Sequence, residues 1–574
     1  MPTVSLQLCL VGLVAGFIAA CVIIVFRSLL HLWHQFMLGE MGDYQALEPI
    51  VRLFLPVCAV ILVLGVALLT GFKHYRLGIP FVIHRLKLYY GHIPFRSSIN
   101  QFFGGILALG SGFVVGKEGP TVHLAAAAGH YIGRWMRLPF NSLRIIAGCG
   151  VAAGIAAAFN TPFAAVIFVM EVVLRDYKVH VFLPVMLAAA CGSVLTRSVY
   201  GDVYALSFLT FEPVTGWELL FLVAFGFIVG CVASLFNYQL MFLMRLFRPV
   251  NMVFRLLLAA ALTGIVGYIF PQALGGDFVN IAPLFESELV FEGLLALFAA
   301  KLILASVAIA LGVPGGIIGA VMIIGMLLGL VLVTPLSAMT YTSSPTTYAV
   351  LGLAGLLASV LFAPMAALSA AMELAADSRV VLPAIIVIVT ACITSKQLFK
   401  NSSIFIQQLD FQGLPYTTSA VRDWLQQTGV LSLINEKFTL TINQSSEALV
   451  ELLSNEHDKL LIHQHYPTDG GDTKYEWVRI SVNRSDDDTV LDKQPVFILT
   501  QQHTLADVHD ALHKRRQGAV VIIDQLLDKD KLFVSINEVN EQTHHVQNLN
   551  KCLIRGVITW NMLNGYLLKR QHTM

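Results

Sequence analysis

The strongest constraint on this chain is a succession of apolar stretches, at 6–26, 51–69, 102–115, 145–158, 163–174, 181–195, 219–236, 254–269, 294–311, 317–333, 348–361 and 380–393. Runs this dense need a lipid bilayer, and only 13% of the 574 residues are charged, against roughly 25% in a soluble domain. The expected class is an all-α polytopic membrane protein. Several stretches are shorter than the roughly 20 residues of a straight crossing. With Gly and Pro interrupting them, they read as helices that stop partway through the bilayer and end at a cavity. The first stretch lacks a basic n-region and a cleavage site, so it reads as a retained span. A formal net charge of +1 gives no case for nucleic acid as a partner. The 8 Cys are scattered without CxxC spacing and suggest neither a metal site nor a disulfide framework.

One break carries charge. Gly116-Lys117-Glu118-Gly119-Pro120 stands between two apolar runs, directly before the helix-forming segment 121–132. An anion at bilayer depth needs partners that are not themselves expensive to bury, and the free N–H groups of a helix's first turn supply them. Pro120 suits the first helical position, and Gly116 and Gly119 let backbone approach an ion closely. The carboxylate of Glu118 can then occupy the anion's place when ionised and vacate it when protonated, coupling pH to passage. A purely structural buried Glu is the alternative, but ionisable groups inside a membrane default to function.

The chain also repeats itself. Thr161-Pro162-Phe163-Ala164-Ala165 leads to Met170-Glu171, and Ala363-Pro364-Met365-Ala366-Ala367 leads to Met372-Glu373, each Glu nine residues after its Pro. The two prolines are 202 residues apart, and Gly116–Pro120 is matched 200 residues on by Gly316-Ile317-Ile318-Gly319-Ala320. Two related halves would place two broken helices around one midplane site.

These segments resemble the CLC family of chloride channels and proton/chloride exchangers. Its G-(K/R)-E-G-P signature stands at Gly116–Pro120, followed by Ala158-Phe159-Asn160-Thr161-Pro162 and by Gly312-Val313-Pro314-Gly315-Gly316-Ile317-Ile318. The resemblance covers roughly residues 10–410. It implies a homodimer with an anion pathway in each subunit, built from inverted halves of about 1–200 and 215–410 with many tilted and broken helices. It further implies chloride as the transported ion, protons as a second partner, no cofactor, and a bacterial inner membrane with the C-terminal domain in the cytoplasm. Glu118 is then the gating residue, with Gly116, Lys117, Gly119, Gly78, Ile79, Ile317, Ile318 and Phe405 as the anion-binding set.

Departures from the pattern matter too. The family's first signature, G-S-G-I-P, is here Arg76-Leu77-Gly78-Ile79-Pro80, so Leu77 replaces a chloride-contacting hydroxyl. The family's pore tyrosine falls at Phe405, which cannot donate an O–H hydrogen bond. The inward glutamate that relays protons in exchangers falls at Val172. Passive or loosely coupled transport is therefore expected ahead of stoichiometric exchange. Glu171 is adjacent and could relay protons instead, or could pair with Arg175 four residues on. A membrane-embedded enzyme built on Glu118 and His123 would need a nucleophile or metal set converging on them, and the sequence offers none.

His74, His84 and His92 share no metal-ligand spacing. Lys73, Arg76, Arg85 and Lys87 read as a basic face or entrance. From 421 to 574 the chain is charged and amide-rich, with strand–helix–strand order at 438–462 and again at 496–524. This resembles the tandem CBS module attached to many family members, giving a small α/β domain. The acidic position that grips a nucleotide ribose is Met562, so adenine nucleotide is not expected as a ligand.

Overall fold

The computed structural model describes residues 2–39, 42–71, 78–201, 206, 216, 218–278, 281–285, 291–337, 344–414, 420–455, 459–465, 474–482, 489–513, 517–524 and 554–571. Lys73, His74, Arg76 and Leu77 lie outside the described residues. The chain divides into two compact units, Met1–Met136 with Leu143–Tyr416, and Arg137–Ser142 with Thr417–Met574.

The first unit is helical throughout. Its elements are α1 (Pro2–Leu38), α2 (Pro49–Thr70), α3 (Gly78–Leu88), α4 (Phe95–Leu109), α5 (Glu118–Trp135), α6 (Phe140–Phe159), α7 (Pro162–Phe168), α8 (Val179–Tyr200), α9 (Glu218–Leu246), α10 (Met252–Ile269), α11 (Phe291–Leu311), α12 (Ile318–Ser337), α13 (Pro345–Leu361), α14 (Pro364–Ala375), α15 (Val381–Ile393) and α16 (Ile404–Phe411). π-Helical turns at Val169–Leu174 and Thr394–Leu398 extend α7 and α15. Among the described residues, nine helices are long and apolar enough to span a bilayer, and three shorter apolar ones stand between them. This is a polytopic membrane protein.

The repeat is written into the backbone. Left-handed φ values recur at Gly112 (+86°) and Gly312 (+93°), Asn160 (+56°) and Phe362 (+54°), and Arg175 (+53°) and Ala376 (+53°). Each pair ends corresponding elements of the two halves, and Pro162 and Pro364 start the next helix two residues after Asn160 and Phe362. The reversal at Gly112 explains why α4 stops at Leu109 when the apolar pattern runs on to Val115. Pro120 is the third residue of α5, where the sequence suggested the first. The helix tolerates it because N–H groups of the first turn have no intrahelical acceptor.

Close helix contact recurs as well. A Cβ on Gly129 or Gly150 would strike backbone across the α5–α6 contact, and one on Gly329 or Gly352 would do so across α12–α13. Lys301 of α11 is fully buried, and its ammonium donates to the carbonyls of Ala273 (3.3 Å), Leu274 (3.1 Å) and Gly275 (2.8 Å). Gly275 in turn donates to the Gly112 carbonyl at 2.9 Å. The chain entering the charged break is thus pinned from the second half.

The second unit holds a six-stranded sheet in sequential order. Strands β1 (Phe438–Ile442) and β2 (Leu460–His465) are parallel and joined through the helix Ser446–Asn455; β4 (Thr489–Thr500) and β5 (Ala519–Ile523) are parallel and joined through Leu505–His513. Strand β3 (Lys474–Val482), which the sequence pattern did not suggest, pairs antiparallel with β2 and β4, and β6 (Ile554–Thr559) pairs antiparallel with β5. A fully buried β5 lies in the core, as its unbroken apolar run Ala519–Ile523 requires.

Candidate functional site

The breaks before α5 and α12 meet. Gly116 and Gly316 form an antiparallel bridge, with N–H···O bonds of 2.8 and 2.6 Å in the two directions. A side chain at either position, or at Gly119, would collide: Gly116 faces the Glu118 carboxylate, and Gly119 faces the Gly315 carbonyl. The glycines are required by proximity. Glu118 opens α5 and is 3% exposed. Its carboxylate lies against the amides of Gly319 and of Glu118 itself, and its Oε2 has no hydrogen-bond partner. The side chain thus reaches from one half of the repeat to the helix start of the other.

Two cavities flank this junction. The larger, of about 270 Å³, is lined by Gly78, Ile79, Pro80, Ile317, Phe405 and the Gly312–Gly316 turn, together with Met244, Met252, Arg255, Gln408, Phe411 and Gln412. It receives the amino ends of α3, α10 and α16 and the residue preceding α12. The amino ends of α3 and α10 bring positive dipole ends to it, the last turns of α9, α11 and α16 line it as well, and no Asp or Glu does so among the described residues. The smaller, of about 60 Å³, is bounded by Glu118, Ile318, Phe159, Thr161, Ala164, Ala366 and apolar side chains.

Gly78, Ile79, Ile317 and Phe405 therefore share one cavity, while Glu118 and Ile318 bound the other. Gly116 and Gly119 line neither cavity; they pack against Gly316 and Gly315 at the junction. Lys117 lines neither; its ammonium sits 4.6 Å from the Phe159 ring centroid and within electrostatic reach of Asp277. Phe405 is 1% exposed and presents only a ring to its cavity.

Glu171 takes a partner that its own helix could not suggest. Its carboxylate accepts from the amides of Met365 (3.3 Å) and Ala366 (2.7 Å) at the start of α14. Glu373 does the same for Phe163 (2.9 Å) and Ala164 (2.7 Å) at the start of α7. Each half caps a helix of the other, and Glu171 does not pair with Arg175. His123 is fully buried, with Nε2 3.2 Å from the Ser97 hydroxyl and its ring stacked on Phe81.

Sequence reasoning passed over Arg255 and Gln408. No repeat or signature contains them, and only the convergence of α10 and α16 puts them beside the glycine-rich turns.

Comparison with known proteins agrees with this geometry. The family described as Voltage gated chloride channel matches residues 66–396. A Ralstonia nicotianae ClcB-like chloride channel protein is 26% identical over 404 residues, 68% of this chain and 93% of the relative. The H(+)/Cl(-) exchange transporter ClcA of Citrobacter koseri is 30% identical over 301 residues, 50% of this chain and 63% of the relative. The crystal structure of a CLC-type fluoride/proton antiporter superposes with a TM-score of 0.58 at 26% identity, over 70% of this chain and 97% of that one. With a family match over more than half its length, and with paired breaks where the family signatures fall, the chain belongs to the CLC family of voltage gated chloride channels.

Proposed function

We propose that the protein conducts chloride across the membrane through the two cavities flanking the Gly116–Gly316 junction, gated by Glu118, with passive or loosely proton-coupled movement. One observation carries this reading: a buried carboxylate lies against the Gly319 amide, at the start of α12, where an anion would otherwise be bound. Ionised, Glu118 competes with chloride for the amides; protonated, it has lost the charge that holds it there. The valine at 172 and the use of Glu171 as a helix cap favour weak coupling to protons. On the same reading the protein is a homodimer in a bacterial inner membrane, with residues 421–574 forming a cytoplasmic CBS-like module and needing no cofactor.

Reconstitution in liposomes tests this. Chloride efflux that rises as pH falls is expected. No efflux at any pH or voltage would remove the transport reading.

Stoichiometric proton/chloride exchange is the second reading, favoured by the exchange transporter named among the relatives. It is also favoured by the small cavity, which borders both Glu118 and Ala366, the residue whose amide Glu171 caps. A reversal potential that shifts with the proton gradient at a fixed ratio would select exchange.

A further inference from the structure

Phe405 lines the larger cavity, but what fixes its place lies outside that cavity. It is the second residue of α16, a helix of 8 residues, too short to hold a position by its own hydrogen bonding. The segment before α16 leaves the π-turn of α15 with Lys400 in the left-handed region at φ +50°. A non-glycine residue keeps that conformation only where its surroundings hold it.

Asn401 is the hub of those surroundings. Its amide donates to the Ser395 carbonyl and its Nδ2 to the Ser395 hydroxyl, both at 3.1 Å. Its Oδ1 accepts from Gln407 Nε2 at 2.7 Å and from the Ser402 amide at 3.0 Å. A second helix reaches the same hub. Asn237 of α9 is 1% exposed, and its Nδ2 lies 3.3 Å from Asn401 Oδ1, 3.4 Å from the Ser402 carbonyl and 3.3 Å from the Val360 carbonyl near the end of α13. One turn earlier, the Ser234 hydroxyl is 3.0 Å from that of Ser395. Burying a carboxamide among apolar helices is costly unless it is hydrogen-bonded. The Oδ1 of Asn237 has no partner among the described residues, so its donor group alone offsets that cost. Small polar side chains of this kind join helices within a bilayer.

We propose that Asn237 is a positioning residue for Phe405: by tying 401–402 to α9 and α13, it sets where the ring stands in the cavity and so the size of anion that passes. The consequence for anions rests on the transport reading; the placement of the ring does not. Without the tie α16 is free to shift, the ring withdraws, and larger anions gain on chloride.

The test uses full-length protein with para-fluorophenylalanine at position 405, followed by fluorine NMR in detergent, and nitrate and chloride flux in liposomes. Asn237→Leu removes the donor at similar volume. It is expected to move and broaden the fluorine resonance and to raise nitrate flux relative to chloride several-fold. Asn237→Gln retains an amide donor and should restore most of the chloride preference. Asn401→Ala should act as Asn237→Leu does, and the double variant should shift no further than either single one, since both break the same contact. In a Phe405→Ala background, Asn237→Leu should leave the anion preference unchanged.

An unmoved resonance, an unchanged preference, or a shift that persists in the Phe405→Ala background would each overturn the proposal. Wild-type protein that carries no anion, yet shows a moved resonance in Asn237→Leu, would uphold the positioning and defeat the transport reading. Should Asn237→Leu fail to fold, Asn401→Ala decides the outcome on the same two measurements.

Discussion

Gly116 and Gly316 exchange both of their backbone hydrogen bonds, at 2.8 and 2.6 Å, and this bridge joins the two halves of the repeat at the residues where each half breaks its helix. The contact leaves no room for side chains and places the Glu118 carboxylate of one half against the Gly319 amide of the other. Gating and assembly of the halves therefore depend on the same few atoms.

Gly119→Ala tests that crowding. The added methyl meets the Gly315 carbonyl, and overpacking of this kind costs about 1–3 kcal/mol. We expect a lower melting temperature in detergent and strongly reduced chloride flux. Wild-type melting and flux would show that the contact yields.

Glu118→Gln keeps the size of the side chain and removes its charge. Flux from liposomes should be high and flat between pH 7.5 and pH 4.5, whereas wild-type flux rises on acidification. A variant as steeply acid-responsive as wild type would transfer the gate to another group.

The reciprocal caps separate two roles for Glu171. Glu171→Gln and Glu373→Gln each weaken charged caps on a helix start, with an expected stability loss of about 0.5–2 kcal/mol apiece. If both act only as caps, the two variants behave alike in thermal melts and in proton-gradient reversal potentials. A change in proton coupling confined to Glu171→Gln would assign that residue to a proton path.

Lys301→Met removes one ammonium that serves three carbonyls. Leaving buried acceptors unsatisfied costs about 1–3 kcal/mol, and faster hydrogen exchange should appear at 112–116 and 273–276. Unchanged exchange there would mean that the turn is held by other contacts.

His503 gives the second unit a pH dependence. Its Nδ1 accepts from the Thr500 amide, and desolvation of the partly buried ring holds the imidazole below its ordinary pKa. Because the folded state then binds a proton less readily than the unfolded one, stability from this residue is complete above about pH 6.5 and declines as pH falls toward the folded value. Melting of the full chain followed by a probe in 420–571 should fall between pH 7.5 and 5.5, with a smaller fall in His503→Gln. An equal fall in both would place the titration elsewhere.

The sequence alone determined the membrane class, the two halves and the charged break. These follow from local rules: apolar density demands lipid, Gly and Pro end helices, and Pro162 to Glu171 repeats at Pro364 to Glu373 in matching spacing. Tertiary structure decided what those residues touch. That Glu171 caps α14 and not its own turn, that Gly116 bonds Gly316, and that Arg255 and Gln408 share a cavity with Ile317 are meetings of segments some 60 to 200 residues apart. Nothing in a one-dimensional pattern encodes such meetings, because free N–H groups at a broken helix state only that a partner is needed, and the packing of the two halves selects which carboxylate, carbonyl or anion fills that need.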